Sequence, residues 1–170
     1  GNLPKFTMRS HSGAEVAVTV LAGELSGITA PTKTFSPLMG AQLRIAAGES
    51  VTLPLDENFE YGFMPAQGSI TIGDETGTTS SVIYLEPGRT QVTITANEDV
   101  IVLMLGGKPF GEKILMWWNF IGRTNEDIVQ ARQDWNNHQG QVGGRFRDFS
   151  DNVGGWLPAP ELPNATLQPR

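Results

Sequence analysis

Short apolar runs, each bounded by glycine or proline signals, constrain this chain more than any other feature. In residues 14–22, Val16, Val18 and Val20 fall on one side of an extended chain, and Ala17, Thr19 and Leu21 fall on the other. Similar runs occupy 41–46, 50–55, 60–64, 69–72, 79–85, 90–96, 100–105 and 114–121. Turn signals separate them at Ala47-Gly48, 65–68, 73–77, Pro87-Gly88 and 97–99, and Gly23 and Ser26-Gly27 follow the first run. The 20 Gly and 11 Pro among 170 residues suit many short strands better than a helical bundle. About nine strands at this spacing predict a mainly β fold: a sandwich, a barrel or a double-sheet jelly roll.

One helix is predicted over 125–137. Thr124 can cap it, and Glu126 and Asp127 sit near the positive end of its dipole. Asp127, at the third helical position, takes the place of a capping-box partner. Ile128, Ala131 and Trp135 form a stripe at helical spacing, expected to dock on the sheet. Trp117 and Trp118 are neighbours in the run 114–121, so on a strand they point to opposite faces. One is expected to fill the barrel or its mouth and the other to pack under the helix near Trp135. Tyr61 and Phe63 share a strand face, extended by Phe59, at the opposite parity to Glu60. Core packing is the favoured reading for them, ahead of an inter-domain contact. Residues 141–170 are rich in Gly, Pro and polar types but carry Phe146, Phe149, Trp156 and Leu157, which a disordered tail would not. They read as an extended arm packed on a neighbouring surface.

Composition narrows the function classes. The net charge is −6 and no Lys/Arg cluster stands out, which argues against nucleic-acid binding. With no Cys there is neither a disulfide framework nor a thiolate site, in keeping with a cytoplasmic location. No run of about 18 apolar residues marks a membrane-spanning helix. The opening GNLPKFTMRS lacks the apolar core of a secretory signal and an initiator Met, so the chain is expected to be an excised piece of a longer protein.

From Gly48 the sequence continues with five residues, then Pro54-Leu55-Asp56, three residues and Glu60. This resembles the frame of metal-binding cupins, where Gly is followed after five residues by His-x-His and then by Glu. Here Pro54 and Asp56 stand at the two His positions. Gln91 stands three residues after Gly88, where the second half of the frame carries its His. A second resemblance is broader. Leu105-Gly106-Gly107-Lys108-Pro109-Phe110-Gly111-Glu112-Lys113-Ile114 looks like a segment of pirins. So do Met116-Trp117-Trp118-Asn119-Phe120 and the helix that follows it, and Leu157-Pro158-Ala159-Pro160-Glu161-Leu162-Pro163 is similar to the end of bacterial pirin-like proteins.

Pirins carry two cupin domains in one chain. The N-terminal one binds iron through His and Glu ligands, and the C-terminal one is usually metal-free. The resemblance covers only the C-terminal half, and no family metal ligand carries over to a matching position. It implies a cupin (double-stranded β-helix, jelly-roll) barrel with one helix over 1–140. Residues 141–170 would then pack on that barrel or on the N-terminal cupin domain of the same protein. It implies no cofactor in this chain and iron in the companion domain. Quercetin-type dioxygenase activity and nuclear co-regulation, known for whole pirins, would belong to proteins that carry the metal-bearing half.

No residue is assigned a catalytic role and none is assigned to a metal. The candidate ligand-binding residues are Glu60, Gln91, Asp56, Trp117 and Trp118. Glu60 is read mainly as a barrel-mouth carboxylate satisfied by hydrogen bonds. An oxygen-only set with Asp56 and Gln91 would suit Mg²⁺ or Ca²⁺ rather than a redox metal. Two readings stand for Gln91: a hydrogen bond to a small polar ligand, or an amide satisfied within the barrel. His11 and His138 read as solvated surface histidines, and Gly106-Gly107-Lys108 reads as a turn because Pro109 stands where a phosphate loop needs Ser or Thr. The function predicted is that of a non-catalytic, metal-free cupin half supporting its metal-bearing partner. Its rivals are a small-molecule-binding barrel with an enclosed pocket, a part of a metal-dependent dioxygenase, and an interaction module with an exposed apolar patch.

Overall fold

The structure is a computed structural model that describes residues 2–138, 146 and 157–169, with position 138 described by its backbone alone. Phe149 and Trp156 of the arm, and the expected boundary at 140, lie outside the described residues. The chain divides into two compact units, Gly1–Pro109 and Phe110–Arg170.

The first unit contains β1 (Lys5–Arg9), β2 (Glu15–Ala22), β3 (Glu24–Leu25), β4 (Ile28–Thr29), β5 (Leu38–Ile45), β6 (Ser50–Pro54), β7 (Glu60–Gln67), β8 (Ile70–Ile72), β9 (Glu75–Gly77), β10 (Ile83–Leu85), β11 (Gln91–Ala96) and β12 (Val100–Gly107). Two antiparallel sheets result, in the orders β1-β2-β5-β12-β7-β10 and β6-β11-β8-β9. Their inward residues form one core. Val16, Val18 and Val20 meet Leu43, Val102 and Phe63 from the larger sheet and Val51, Leu53, Ile70 and Ile94 from the smaller. The alternation read in residues 14–22 is what places these side chains on one face. This is the mainly β, double-sheet barrel architecture of the cupin fold.

Some elements differ from expectation. The predicted strand over 79–85 shortens to Ile83–Leu85, and the strands β1, β3, β4 and β9 carry no strong periodic signal. Gly106 and Gly107, expected in a turn, are the last residues of β12, paired with Met39 and Leu38 on one side and with Tyr61 and Glu60 on the other. Tyr61 demands glycine there, because a Cβ at Gly106 would stand 2.4 Å from its ring.

The second unit contains β13 (Leu115–Trp117), β14 (Phe120–Gly122) and α1 (Asn125–His138). The single strand expected over 114–121 is thus a two-stranded ribbon. It reverses at Trp118 and Asn119, where Trp118 adopts a positive φ of 51°. A left-handed Trp is unusual and has no local sequence signal, which is why periodicity missed the turn. The helix follows its signals closely. The Asp127 N–H donates to Thr124 Oγ1, while Asp127 Oδ2 accepts from the Thr124 and Arg123 amides, closing the capping box. Ile128 and Ala131 are buried with Leu115, Phe120 and Ala159, and Trp135 packs on the same cluster. Among the described residues, no helix is long and apolar enough to cross a membrane.

The described part of the arm packs within the second unit. Trp135 Nε1 donates to the Leu157 carbonyl, Arg132 Nε to the Pro160 carbonyl, and the Ala159 and Leu167 amides donate to Asn136 and Asn125. Ala159, Leu162 and Leu167 join its hydrophobic cluster.

Candidate functional site

At one mouth of the first unit's barrel lies a cavity of about 390 Å³. Its apolar lining includes Leu25, Met39, Leu55, Phe59, Tyr61 and Met104, and its polar lining includes Glu24, Ser26, Thr34 and Asp56. Strand parity explains the inner wall. Tyr61 on β7, Met39 on β5 and Met104 on β12 are buried and occupy inward positions. The rim is made by connections. One is the hairpin β3–β4, which turns through Ser26 and Gly27, both at positive φ (52° and 79°), as a two-residue hairpin loop requires. The other is the segment after β6.

That segment is held by a compact set of hydrogen bonds. The Asp56 amide donates to Tyr61 Oη at 2.8 Å, so the phenol inside the barrel ties down the rim. Asp56 Oδ1 accepts from both the Asn58 amide and its side chain. These two bonds hold the Asp56 carboxyl below the usual aspartate range, with the backbone bond the larger cause. Burial pushes the Tyr61 phenol up. The Leu55 amide donates to the Thr90 carbonyl, and the Gly88 amide to the Glu57 carbonyl, so the rim is also stitched to the connection before β11.

The sequence-derived candidates separate in space. Asp56 lines the cavity together with Pro54, the other residue at a position where metal-binding cupins carry His. Glu60 does not: it has the parity opposite to Tyr61 and accepts a 2.7 Å hydrogen bond from Tyr84 Oη on the outer surface of the sheet. That bond raises the Tyr84 phenol above its ordinary range. Gln91 is exposed at the start of β11, paired with Pro54, while Val92 and Ile94 take the inward positions. An amide satisfied inside the barrel is therefore corrected to a surface amide, because the inward parity begins one residue later.

Trp117 and Trp118 lie in the second unit. Both pack on Phe120, at centroid distances of 6.3 and 5.2 Å, and Trp118 meets Trp135 edge-on at 5.8 Å. The expectation that one of them fills the barrel fails for a local reason. The turn at Trp118 folds both rings toward one cluster instead of opposite strand faces. His11 is exposed and bonds Thr52 Oγ1 at 2.8 Å.

Glu24, Met39, Phe59 and Met104 line the cavity without having been singled out as ligand contacts. Partial signals exist, inward parity for Met104 and a Ser-Gly turn beside Glu24, but neither says which distant segments meet at the cavity. The positions of the metal-cupin frame do not fit an iron ion. Pro54 offers no donor, Glu60 is on the outer surface, and Gln91 is exposed. Among the described residues, no three His, Cys, Asp or Glu side chains gather to hold a metal.

Comparison with known proteins bears on the family and the fold. Residues 40–141 match the family described as the Pirin C-terminal cupin domain. Over 148 residues the chain is 38 % identical to a Pseudomonas aeruginosa protein named "Putative quercetin 2,3-dioxygenase", covering 87 % of this chain and 46 % of that one. It is 27 % identical over 142 residues to a pirin-like protein of Caulobacter vibrioides, covering 84 % and 46 %. Among solved structures, a quercetin 2,3-dioxygenase from Acinetobacter baumannii superposes with a TM-score of 0.80 at 34 % identity, covering 96 % of this chain and 52 % of that one. The chain spans about half the length of the curated relatives it matches. A β barrel with these neighbours and this family match places the chain in the pirin family, with its sequence corresponding to the C-terminal cupin domain.

Proposed function

We propose that this chain is the metal-free cupin half of a pirin-type protein, and that it works by holding a metal-bearing cupin barrel rather than by chemistry of its own. The observation that carries this reading is the outer face of the six-stranded sheet. Strand β12 is apolar on both sides: Val100, Val102 and Met104 point inward, and Ile101, Leu103 and Leu105 point outward. A strand of that composition suits a sheet with a packed layer on each face. Leu105 lies over Gly40, and Val82 lies over Gly62. With Tyr84, these residues make an apolar surface of which Leu105, Val82 and Tyr84 are 52 %, 58 % and 53 % exposed. Exposed apolar surface of this kind supports a docking role.

The occupant we assign is the N-terminal cupin domain of the same protein, since relatives of about twice this length bear the same half. Iron would reside there, because the present positions do not suit it. The quercetin dioxygenase names borne by relatives fit a second reading of the whole protein: dioxygenation carried by the companion barrel, with this chain as its support. A cytoplasmic location belongs to the same proposal.

Calorimetric titration of this chain with the separately produced metal-bearing cupin half of its reading frame tests the docking. Saturable binding is expected, weakened at least tenfold by the double substitution Leu105→Glu with Val82→Lys, while that variant keeps the wild-type circular dichroism. Absence of binding, or binding indifferent to the substitutions, would sink the reading. So would stoichiometric iron in the chain purified alone and lost on Asp56→Ala.

A further inference from the structure

We propose that the cavity at the barrel mouth is a binding site for a small organic cation with an apolar body, such as an alkylated or aromatic amine. At about 390 Å³ it lies within the size range of small-molecule sites, and apolar side chains share its lining with a smaller set of polar ones. Its polar groups set the sign. Glu24 and Asp56 both line it, and among the described residues no Lys, Arg or His does. Ionised carboxylates only accept hydrogen bonds, and the Tyr61 hydroxyl is engaged by the Asp56 backbone, accepting from its amide and donating to its carbonyl. The site is therefore rich in acceptors and negative charge, and it asks for a guest that brings donors or positive charge.

The apolar lining points to the same guest. Phe59 and Tyr61 stand with ring centroids 6.2 Å apart and planes tilted by 39°, forming two adjacent aromatic surfaces. Faces of this kind attract cations through the ring quadrupole, most strongly where water is excluded. Met39 and Met104 add polarisable thioethers that adapt to an irregular guest. An anion would face two carboxylates with no counter-charge. A neutral guest would gain only from the walls.

The asymmetry is built in rather than incidental to a mobile surface. The Asp56 carboxylate is fixed by two bonds from Asn58, and Glu24 Oε2 accepts from Thr29 Oγ1 at 3.1 Å across the hairpin. Both charges are thus presented on short, tied connections above a floor of buried residues. This site is separate from the outer sheet face proposed for docking, so either proposal can fail without the other.

The test uses the chain with ¹³C-labelled methionine methyl groups, of which there are five. Benzyltrimethylammonium is the probe, with benzyl alcohol and benzenesulfonate as neutral and anionic counterparts. Saturable shifts of the Met39 and Met104 methyls are expected with the cation, with Met116 in the second unit unmoved. Glu24→Gln and Asp56→Asn, which keep the local hydrogen-bond shapes, should each weaken binding about threefold, as suits exposed charges. In the wild type, added NaCl should weaken it further. The proposal is overturned if benzyl alcohol binds as tightly as the cation or if benzenesulfonate binds. It is equally overturned if no probe moves Met39 and Met104, or if salt has no effect.

Discussion

The first unit closes on aliphatic side chains contributed by two sheets, Leu43, Leu53, Ile70 and Ile94 among them, whereas the second closes on rings. Phe120 contacts Trp117, Trp118 and Phe146, and Trp135 stands edge-on to Trp118 and Phe146 at 5.8 and 5.2 Å. The backbone differs correspondingly. Long ladders satisfy the first unit, but among the described residues the second has a ribbon and one helix, and side chains of the helix satisfy backbone groups of residues 157–169. A small unit with little sheet gains specificity from large rings with directional contacts and from polar side chains that act as staples.

The largest effect expected from breaking this contrast is in the first unit. Phe63 is fully buried between the sheets, and Phe63→Ala should cost about 4 kcal/mol through lost burial and a cavity. Denaturant unfolding followed by circular dichroism reads this directly. A loss below about 1 kcal/mol would mean that the two sheets repack freely around the gap.

Phe120→Ala should cost the second unit about 3 kcal/mol, since Phe120 is buried at the centre of its rings. Trp117, Trp118 and Trp135 belong to the ring cluster of the second unit, and no tryptophan precedes residue 117, so fluorescence reports on that unit and not on the barrel. Its emission should shift to the red at denaturant concentrations where Phe63→Ala, at matched fractional stability of the barrel, leaves it unchanged. Identical fluorescence transitions for both variants would show that the two closures are one cooperative event.

Gly106→Ala is a milder perturbation aimed at the site itself. The added methyl would stand 2.4 Å from the Tyr61 ring, so the ring must shift, at about 2 kcal/mol. Because Tyr61 Oη accepts the Asp56 amide, the rim should loosen with it. Faster hydrogen exchange at the Asp56 amide, relative to Val92 on the neighbouring strand, is the expected sign. Unchanged exchange would mean that the rim is held by Asn58 and Thr90 alone.

The same division decides what could be read before the fold was known. Strands with strict alternation, such as Val16-Ala17-Val18-Thr19-Val20, bury one face against a second sheet, and that requirement is written in every second residue. Capping at Thr124 is equally local, so the helix was legible to within a residue. The cavity was less so. Asp56 was found because it occupies a position in a spaced frame, but Glu24 reaches the cavity through a two-residue hairpin, and Met104 through register with β5 and β7. Register is a property of pairs of distant segments, and no single segment encodes it. Glu60 illustrates the converse. Its frame spacing suggested the interior, but Tyr61 and Phe63 take the inward parity of β7 and force it out.

The smallest effect, and the one that treats both units alike, is acid titration. In the first unit Glu49 Oε2 accepts bonds from Ser10 and Ser12 at 2.6 Å each, and the bond from Ser10 is the larger cause of its lowered pKa. In the second, the Arg123 and Thr124 amides lower the pKa of Asp127, that of Arg123 more. A folded-state pKa below the ordinary value means that the carboxylate contributes stability fully above that value and loses it as pH falls through the folded pKa. The ordinary values are 4.5 for glutamate and 3.8 for aspartate. Protection of the Ala14 amide, which donates to Ser10 Oγ, should therefore weaken only below pH 4.5, and that of the Arg123 and Thr124 amides only below pH 3.8. Glu49→Gln should flatten the first dependence and Asp127→Asn the second, each without touching the other unit. Asp127 is exposed and Glu49 half-buried, so salt should narrow these differences, the second more than the first. Amides that titrate at or above the ordinary values would show that neither carboxylate holds its turn in solution.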